Sequence, residues 1–101
     1  MTKTHLQINN IIYSVADFVS VNMENYTYNN FLIYEITIKR IENKDDIMIT
    51  VTNNTDTNYS NYFLTENPKR YAEYFTEIIQ ELIYNFRSNI YVIDNNFKTL
   101  K

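Results

Sequence analysis

The chain of 101 residues contains no cysteine and no glycine, one proline and one histidine. Without cysteine it can form no disulfide, use no thiolate nucleophile and offer no thiolate ligand to a metal. Without glycine it lacks the phosphate-binding and dinucleotide-binding loops that need backbone without a Cβ atom. No apolar run is long enough to cross a bilayer and no secretory signal is recognisable, so we expect a cytoplasmic protein without a membrane segment.

The apolar content of 45% is high enough for a folded core, and the length predicts a single domain spanning residues 1–101. Asparagine, isoleucine, lysine, tyrosine and phenylalanine make up more than half of the chain. Their codons are AT-rich, which indicates the genome of a low-GC bacterium, its phages or its plasmids. A single asparagine or tyrosine is therefore a weak functional signal in this chain.

Residues 8–19 predict an amphipathic helix, because apolar residues recur at i, i+3, i+4 and i+7. A strand is the alternative, since the segment is rich in β-branched residues. The polar stretch Asn22–Asn30 separates this segment from the next pattern. The apolar residues of the segment are Ile8, Ile11, Ile12, Val15, Phe18 and Val19.

Two segments of period two follow, residues 32–39 and residues 47–52, and they predict an antiparallel hairpin joined by the charged turn Glu42–Asp46. A second polar turn, Asn53–Asn58, leads to a shorter predicted strand at Tyr59–Leu64.

The clearest helix begins after Asn67, which can cap it, with Pro68 at the first helical position, and extends to about Phe86. Ile90–Ile93 is short and β-branched, which favours a strand over a continuing helix. The sequence therefore predicts an α+β two-layer sandwich in the order α-β-β-β-α, with a final strand as a variant. Two helices would cover an antiparallel sheet of three to four strands.

Catalytic chemistry has little support in this sequence. The only histidine, His5, lies near the N-terminus, where a frayed chain is the default, and no serine has a credible partner. Asp45 and Asp46 fit a hairpin turn better than a cation site, which draws on several oxygen ligands. We therefore expect no enzyme, no catalytic residue, no metal and no cofactor.

The net charge of −3 argues against direct binding of nucleic acid, which requires a basic surface. The predicted second helix carries Glu73, Glu77 and Glu81 at intervals of four residues, with Tyr84 beside them. They form either a solvated face, with Arg70 paired to a neighbouring glutamate, or a contact surface for a basic groove on a partner. The candidate partner-binding residues are Glu66, Glu73, Glu77, Glu81, Tyr84, Asp45, Asp46, Asp56 and Tyr59.

The segments Ile47–Asn54 and Asn61–Asn67, followed by a long amphipathic helix, resemble small phage-encoded anti-CRISPR proteins that inhibit Cas nucleases. The resemblance covers residues 5–90 in element order. It implies an acidic single domain with a short three-stranded antiparallel sheet between helices. It also implies inhibition by carboxylates placed where the nuclease expects DNA phosphates.

Size, acidity, the glutamate row and this resemblance predict a non-catalytic binding protein of a phage or mobile element. Its partner would be a host nuclease or nuclease complex, inhibited by occupation of the nucleic-acid-binding surface. The alternative is a homo-oligomeric accessory or structural protein of a virus or low-GC bacterium. In that case Phe31, Ile33 and Met48, exposed together on the outer sheet face, would form a homodimer contact.

Overall fold

The computed structural model describes residues 5–9, 11–55, 61–84 and 90–93. These residues form seven strands and one α-helix, and a single 3-10 turn at Val15–Asp17 joins the second strand to the third. The elements are β1 (His5–Ile8), β2 (Ile11–Ser14), β3 (Phe18–Tyr28), β4 (Phe31–Arg40), β5 (Ile47–Thr52), β6 (Tyr62–Leu64), α1 (Pro68–Tyr84) and β7 (Ile90–Ile93).

The strands form two sheets. The main sheet has the order β3-β4-β5-β6, in which β3, β4 and β5 are antiparallel and β6 is parallel to β5. The smaller sheet has the order β2-β1-β7, with β1 antiparallel to β2 and parallel to β7. Helix α1 packs across β3, β4 and β5 on one face of the main sheet. The two edge strands of this sheet are β3 and β6.

The core lies between α1 and the main sheet. The main sheet contributes Ile36 and Ile38 of β4 and Ile47, Ile49 and Val51 of β5 to this core, and the smaller sheet adds Leu6 and Ile8. Phe63 of β6 meets Phe75 of α1 edge to face, with ring centroids 4.7 Å apart and planes at 81°. Each such buried side chain stabilises the fold by about 1.5–3 kcal/mol.

The predicted α-β-β-β-α sandwich is wrong. The described chain is mostly β with one helix, and two of its strand pairs are parallel, whereas the prediction had two helices and an antiparallel sheet. The error arises because residue patterns report local periodicity, while sheet order and strand direction depend on connections between distant segments.

The first predicted helix, residues 8–19, is not formed. Ile8, Val15 and Phe18 are buried, but the other three apolar residues of the predicted helical face are exposed: Ile11 by 54%, Ile12 by 56% and Val19 by 53%. The segment is instead the end of β1, all of β2, the 3-10 turn and the start of β3. Two short strands joined by turns reproduced the spacing of a helix, and the alternative interpretation, a strand, describes the segment better.

Asparagine takes the place of glycine in the turns of this chain. Four described non-glycine residues have positive φ, and all are asparagine: Asn9, Asn29, Asn30 and Asn43. Asparagine tolerates the left-handed region because its short side chain bonds locally. Asn29 and Asn30, with φ of 50° and 69°, form a two-residue turn that joins β3 to β4. The polar stretch 22–30 is thus a strand and a hairpin turn.

Several local predictions are confirmed. β4 and β5 form the predicted antiparallel hairpin, and β7 is a strand. α1 begins at Pro68, and the Asn67 carbonyl accepts a hydrogen bond from the Tyr71 N–H at 3.3 Å. The predicted helix end near Phe86 lies outside the described residues. So does the first part of the predicted strand 59–64, of which the structure describes β6.

Candidate functional site

Helix α1 has two chemically different faces, because its apolar residues recur with helical periodicity. The inner face contacts the main sheet and is fully buried. The outer face carries exposed charged and aromatic residues. The buried inner residues are Pro68, Ala72, Phe75, Ile79 and Leu82.

Glu73, Glu77 and Glu81 form a row on the outer face, which we call the acidic row. Their spacing of four residues places them on successive turns over about 12 Å of helix. All three side chains are exposed. Within the described part of the chain none of the three carboxylates forms an ion pair or a hydrogen bond, and the ion pair found there joins Lys44 to Asp17 at 2.9 Å.

The position of the acidic row affects the stability of the helix. The described part of α1 has no acidic residue in its first turn, where the helix dipole would favour one, and Glu73 and Glu77 lie beyond that turn. Carboxylates four residues apart also repel each other, by about 0.2–0.5 kcal/mol per pair. This repulsion offsets part of the stability that glutamate, a good helix former, gives at these three positions.

The basic residues near the row do not neutralise it. Arg70 and Lys69 lie in the first turn of α1, and both are exposed. The pairing of Arg70 with Glu73 or Glu77 that the sequence allowed is not formed in the described residues. Residues 71–84 contain three glutamates and no lysine or arginine. The helix surface is thus of mixed charge at its start and acidic over the remainder.

Two tyrosines flank the acidic row. Tyr84 is 78% exposed, and Tyr74 is 44% exposed with its ring 6.0 Å from that of Phe75. Two adjoining shallow depressions, of about 450 and 460 Å³, run along this side of the helix, and Tyr74 and Glu77 line both. Tyrosine beside a depression is a typical anchor of protein interfaces.

Tyr74 was missed by the sequence interpretation, which named only Tyr84. The signal was present in the helical spacing, since residues 70, 74, 77, 81 and 84 follow one side of the helix at intervals of three and four. Tyr74 is also the tyrosine of this surface whose ring packs on the core. We therefore include it in the outer face of α1, defined as Arg70, Glu73, Tyr74, Glu77, Glu81 and Tyr84.

The other predicted site residues lie elsewhere. Glu66 is exposed in the connection from β6 to α1. Asp45 and Asp46 are exposed in the turn between β4 and β5, where the Asp45 carbonyl accepts a 2.7 Å hydrogen bond from Arg40 Nε. The predicted residues Asp56 and Tyr59 lie outside the described residues. The structure thus brings Glu73, Glu77, Glu81 and Tyr84 together on one element and places the aspartate pair on another.

His5 does not lie in a frayed terminus. It belongs to β1, paired with Ser14 of β2 on one side and Ile90 of β7 on the other, and it is half-buried. The described residues contain no group of three or more histidine, aspartate or glutamate side chains placed to hold a metal ion. They also contain no helix that is long and apolar enough to cross a membrane.

Comparisons with protein-family models, with curated proteins and with solved structures found no match. The chemistry of the molecule's own surface is therefore the basis for a functional proposal. The outer face of α1 offers three exposed carboxylates at fixed intervals, with no ion pair to another described residue, and two aromatic side chains. Such a surface is suited to bind cationic groups on a protein.

Proposed function

We propose that the protein is a non-catalytic inhibitor, encoded by a phage or mobile element and acting in the host cytoplasm. It binds a basic, nucleic-acid-binding surface of a bacterial defence nuclease and so excludes the nucleic acid. The observation that supports this proposal is the acidic row, whose three exposed carboxylates lack an ion-pair partner in the described residues.

The chemistry of nuclease clefts fits this surface. Such clefts bind phosphates through lysine and arginine, and most of the affinity for nucleic acid comes from these contacts. A rigid helix with a carboxylate on each of three successive turns can contact the same cationic groups. Tyr74 and Tyr84 would add apolar contact area beside the charges, as aromatic anchors do at many interfaces.

Electrostatic attraction gives such an inhibitor a fast approach to its target. Opposite charges on two surfaces raise the association rate, and salt weakens this effect because it screens exposed charges. Inhibition is therefore expected to weaken as the ionic strength is raised. The net charge of the free protein, −3, also keeps it from binding DNA itself.

The first experiment identifies the target. The tagged protein is incubated with lysates of low-GC bacteria, with and without prior nuclease treatment, and the retained proteins are identified. The proposal expects a nuclease or nuclease complex that is retained in both samples. The purified protein must then inhibit DNA cleavage by that nuclease, and a retained nuclease with unchanged cleavage would contradict the proposal.

A matched pair of variants tests the role of the acidic row. Glu77→Lys reverses a charge within the row, and Glu42→Lys reverses an exposed charge in the turn between β4 and β5. Both change the net charge by the same amount. We expect Glu77→Lys to weaken inhibition about tenfold or more, equivalent to about 1.4 kcal/mol, and Glu42→Lys to change it little. Equal effects of the two substitutions would show that net charge, and not the row, is responsible.

The alternative hypothesis, a homo-oligomeric accessory or structural protein, was inferred from an exposed patch of Phe31, Ile33 and Met48. Ile33 is completely buried and Phe31 is half-buried, so the predicted patch is not formed, although Met48 is 48% exposed. Self-association therefore has to use another part of the molecule.

A further inference from the structure

The outer edge of β3 is the longest unpaired strand edge in the described residues. β3 has 11 residues and pairs with β4 on one side only, and the opposite edge strand of the main sheet, β6, has 3. An edge strand presents a row of backbone N–H and C=O groups that can pair with another strand. Residues 24–28 are exposed throughout, so these groups are accessible at the far half of β3.

The hairpin geometry shows which backbone groups face outward. In a two-residue hairpin the residues that flank the turn, here Tyr28 and Phe31, form a hydrogen-bonded pair. Hydrogen-bonded and non-hydrogen-bonded pairs then alternate along an antiparallel ladder. The even-numbered residues of β3 therefore bond to β4, and Met23, Asn25 and Thr27 direct their N–H and C=O groups away from the sheet.

β3 lacks most of the features by which proteins protect an exposed edge. Such edges commonly carry lysine, proline or a bulge that disrupts pairing. β3 contains no lysine, arginine or proline, and its register irregularity lies at its start, between Phe18 and Ser20. The edge is regular from residue 20 to residue 28, and its exposed part, residues 24–28, carries none of these protective features.

We propose that β3 pairs antiparallel with β3 of a second copy of this chain, about a two-fold axis at Asn25. Asn25 then bonds to Asn25 of the other copy, and Met23 bonds to Thr27 on either side of the axis. Each of these pairs can exchange two hydrogen bonds, and the two main sheets become one continuous sheet.

Charge is compatible with this register and argues against one alternative. Glu24 is the one charged residue of β3. An axis at Glu24 would place two carboxylates directly opposite each other, which is destabilising. An axis at Asn25 places each Glu24 across from Tyr26 of the other copy, so no two like charges face each other. The contact is small and mostly polar, which is typical of weak, transient association.

Sedimentation over a wide concentration range tests the pairing, with two substitutions at one position. Asn25→Pro removes an outward N–H while leaving the bonds to β4 intact, and proline is tolerated on an edge strand. Asn25→Thr keeps the N–H. We expect the wild type and Asn25→Thr to dimerise in the micromolar to millimolar range, and Asn25→Pro to require at least tenfold higher concentration. A monomeric wild type, or equal dimerisation of all three folded proteins, would overturn the proposal.

Because the chain has no cysteine, single cysteines can test the register. Asn25→Cys places two thiols across the axis, at a Cα separation of about 5.5 Å that suits a disulfide. Asn22→Cys leaves its two thiols about 20 Å apart, since residue 22 lies opposite residue 28. Mild oxidation should cross-link the first variant and not the second. Equal cross-linking would overturn the register, and neither result affects the inhibitor proposal, which uses α1.

Discussion

The inner and outer faces of α1 are on the same helix, yet different requirements determine their residues. The inner face is apolar and buried, and Phe75 contacts the rings of Phe63, Tyr71 and Tyr74. The outer face carries an acidic row whose members repel each other. The comparison separates apolar residues that form the core from carboxylates that make no ion pair or hydrogen bond with other described residues.

The largest effect is expected from Phe75→Ala on the inner face. Loss of a fully buried ring leaves a cavity, and we expect the free energy of unfolding to fall by about 3–5 kcal/mol. The control on the outer face is Glu77→Ala, which should change stability by less than about 0.5 kcal/mol. Urea unfolding of both proteins measures the difference. Similar losses would mean that the outer face contributes to the fold, and the comparison would fail.

An intermediate effect is expected at Asn30, which is exposed but conformationally constrained. Its φ of 69° is costly for a β-branched residue, so Asn30→Val should lower the free energy of unfolding by about 1–2 kcal/mol. Asn30→Gly should be as stable as the wild type or more so, because glycine accepts positive φ. Thermal unfolding distinguishes the two. If Asn30→Val left the stability unchanged, the positive φ of residue 30 would carry no cost for a β-branched side chain, which would contradict our interpretation of this turn.

The smallest effect should have the opposite sign. Glu77→Gln combined with Glu81→Gln removes repulsion within the acidic row. We expect the free energy of unfolding to rise by about 0.5 kcal/mol, while inhibition of the target nuclease weakens. Denaturant unfolding and a cleavage assay on the same preparation measure both. A stability loss would show that the row supports the helix in a way the described contacts do not reveal.

Much of α1 and of the β4–β5 hairpin could be predicted from the sequence, because both patterns are long and regular. Pro68 marks the helix start, and helical periodicity fixes which residues are buried. The alternation also gives the buried positions Ile36, Ile38, Ile47, Ile49 and Val51, but it does not predict that Leu32 is exposed or that Ile33, Thr50 and Thr52 of the opposite face are buried. The acidic row followed directly from the helix, since its residues share the same periodicity.

The first third of the chain was harder to predict because its elements are short. The turn at Asn9 separates two strands of four residues, and the combined spacing of their apolar residues imitates a helix. Asparagine is so abundant in this chain that a single one is a weak signal, yet it occupies all four described positions with positive φ. A pair of asparagines between two alternating segments, as at Asn29 and Asn30, was therefore an overlooked hairpin signal.

The sequence by itself determined the start and buried face of α1, the β4–β5 hairpin and the position of the acidic row. These features depend on neighbours within a few residues, where periodicity and turn chemistry act directly. Only the tertiary structure decided the two sheets, the parallel pairing of β5 with β6 and of β1 with β7, and the exposed edge of β3. Hydrogen bonds between strands join residues far apart in the chain, and no local pattern specifies which strands become neighbours.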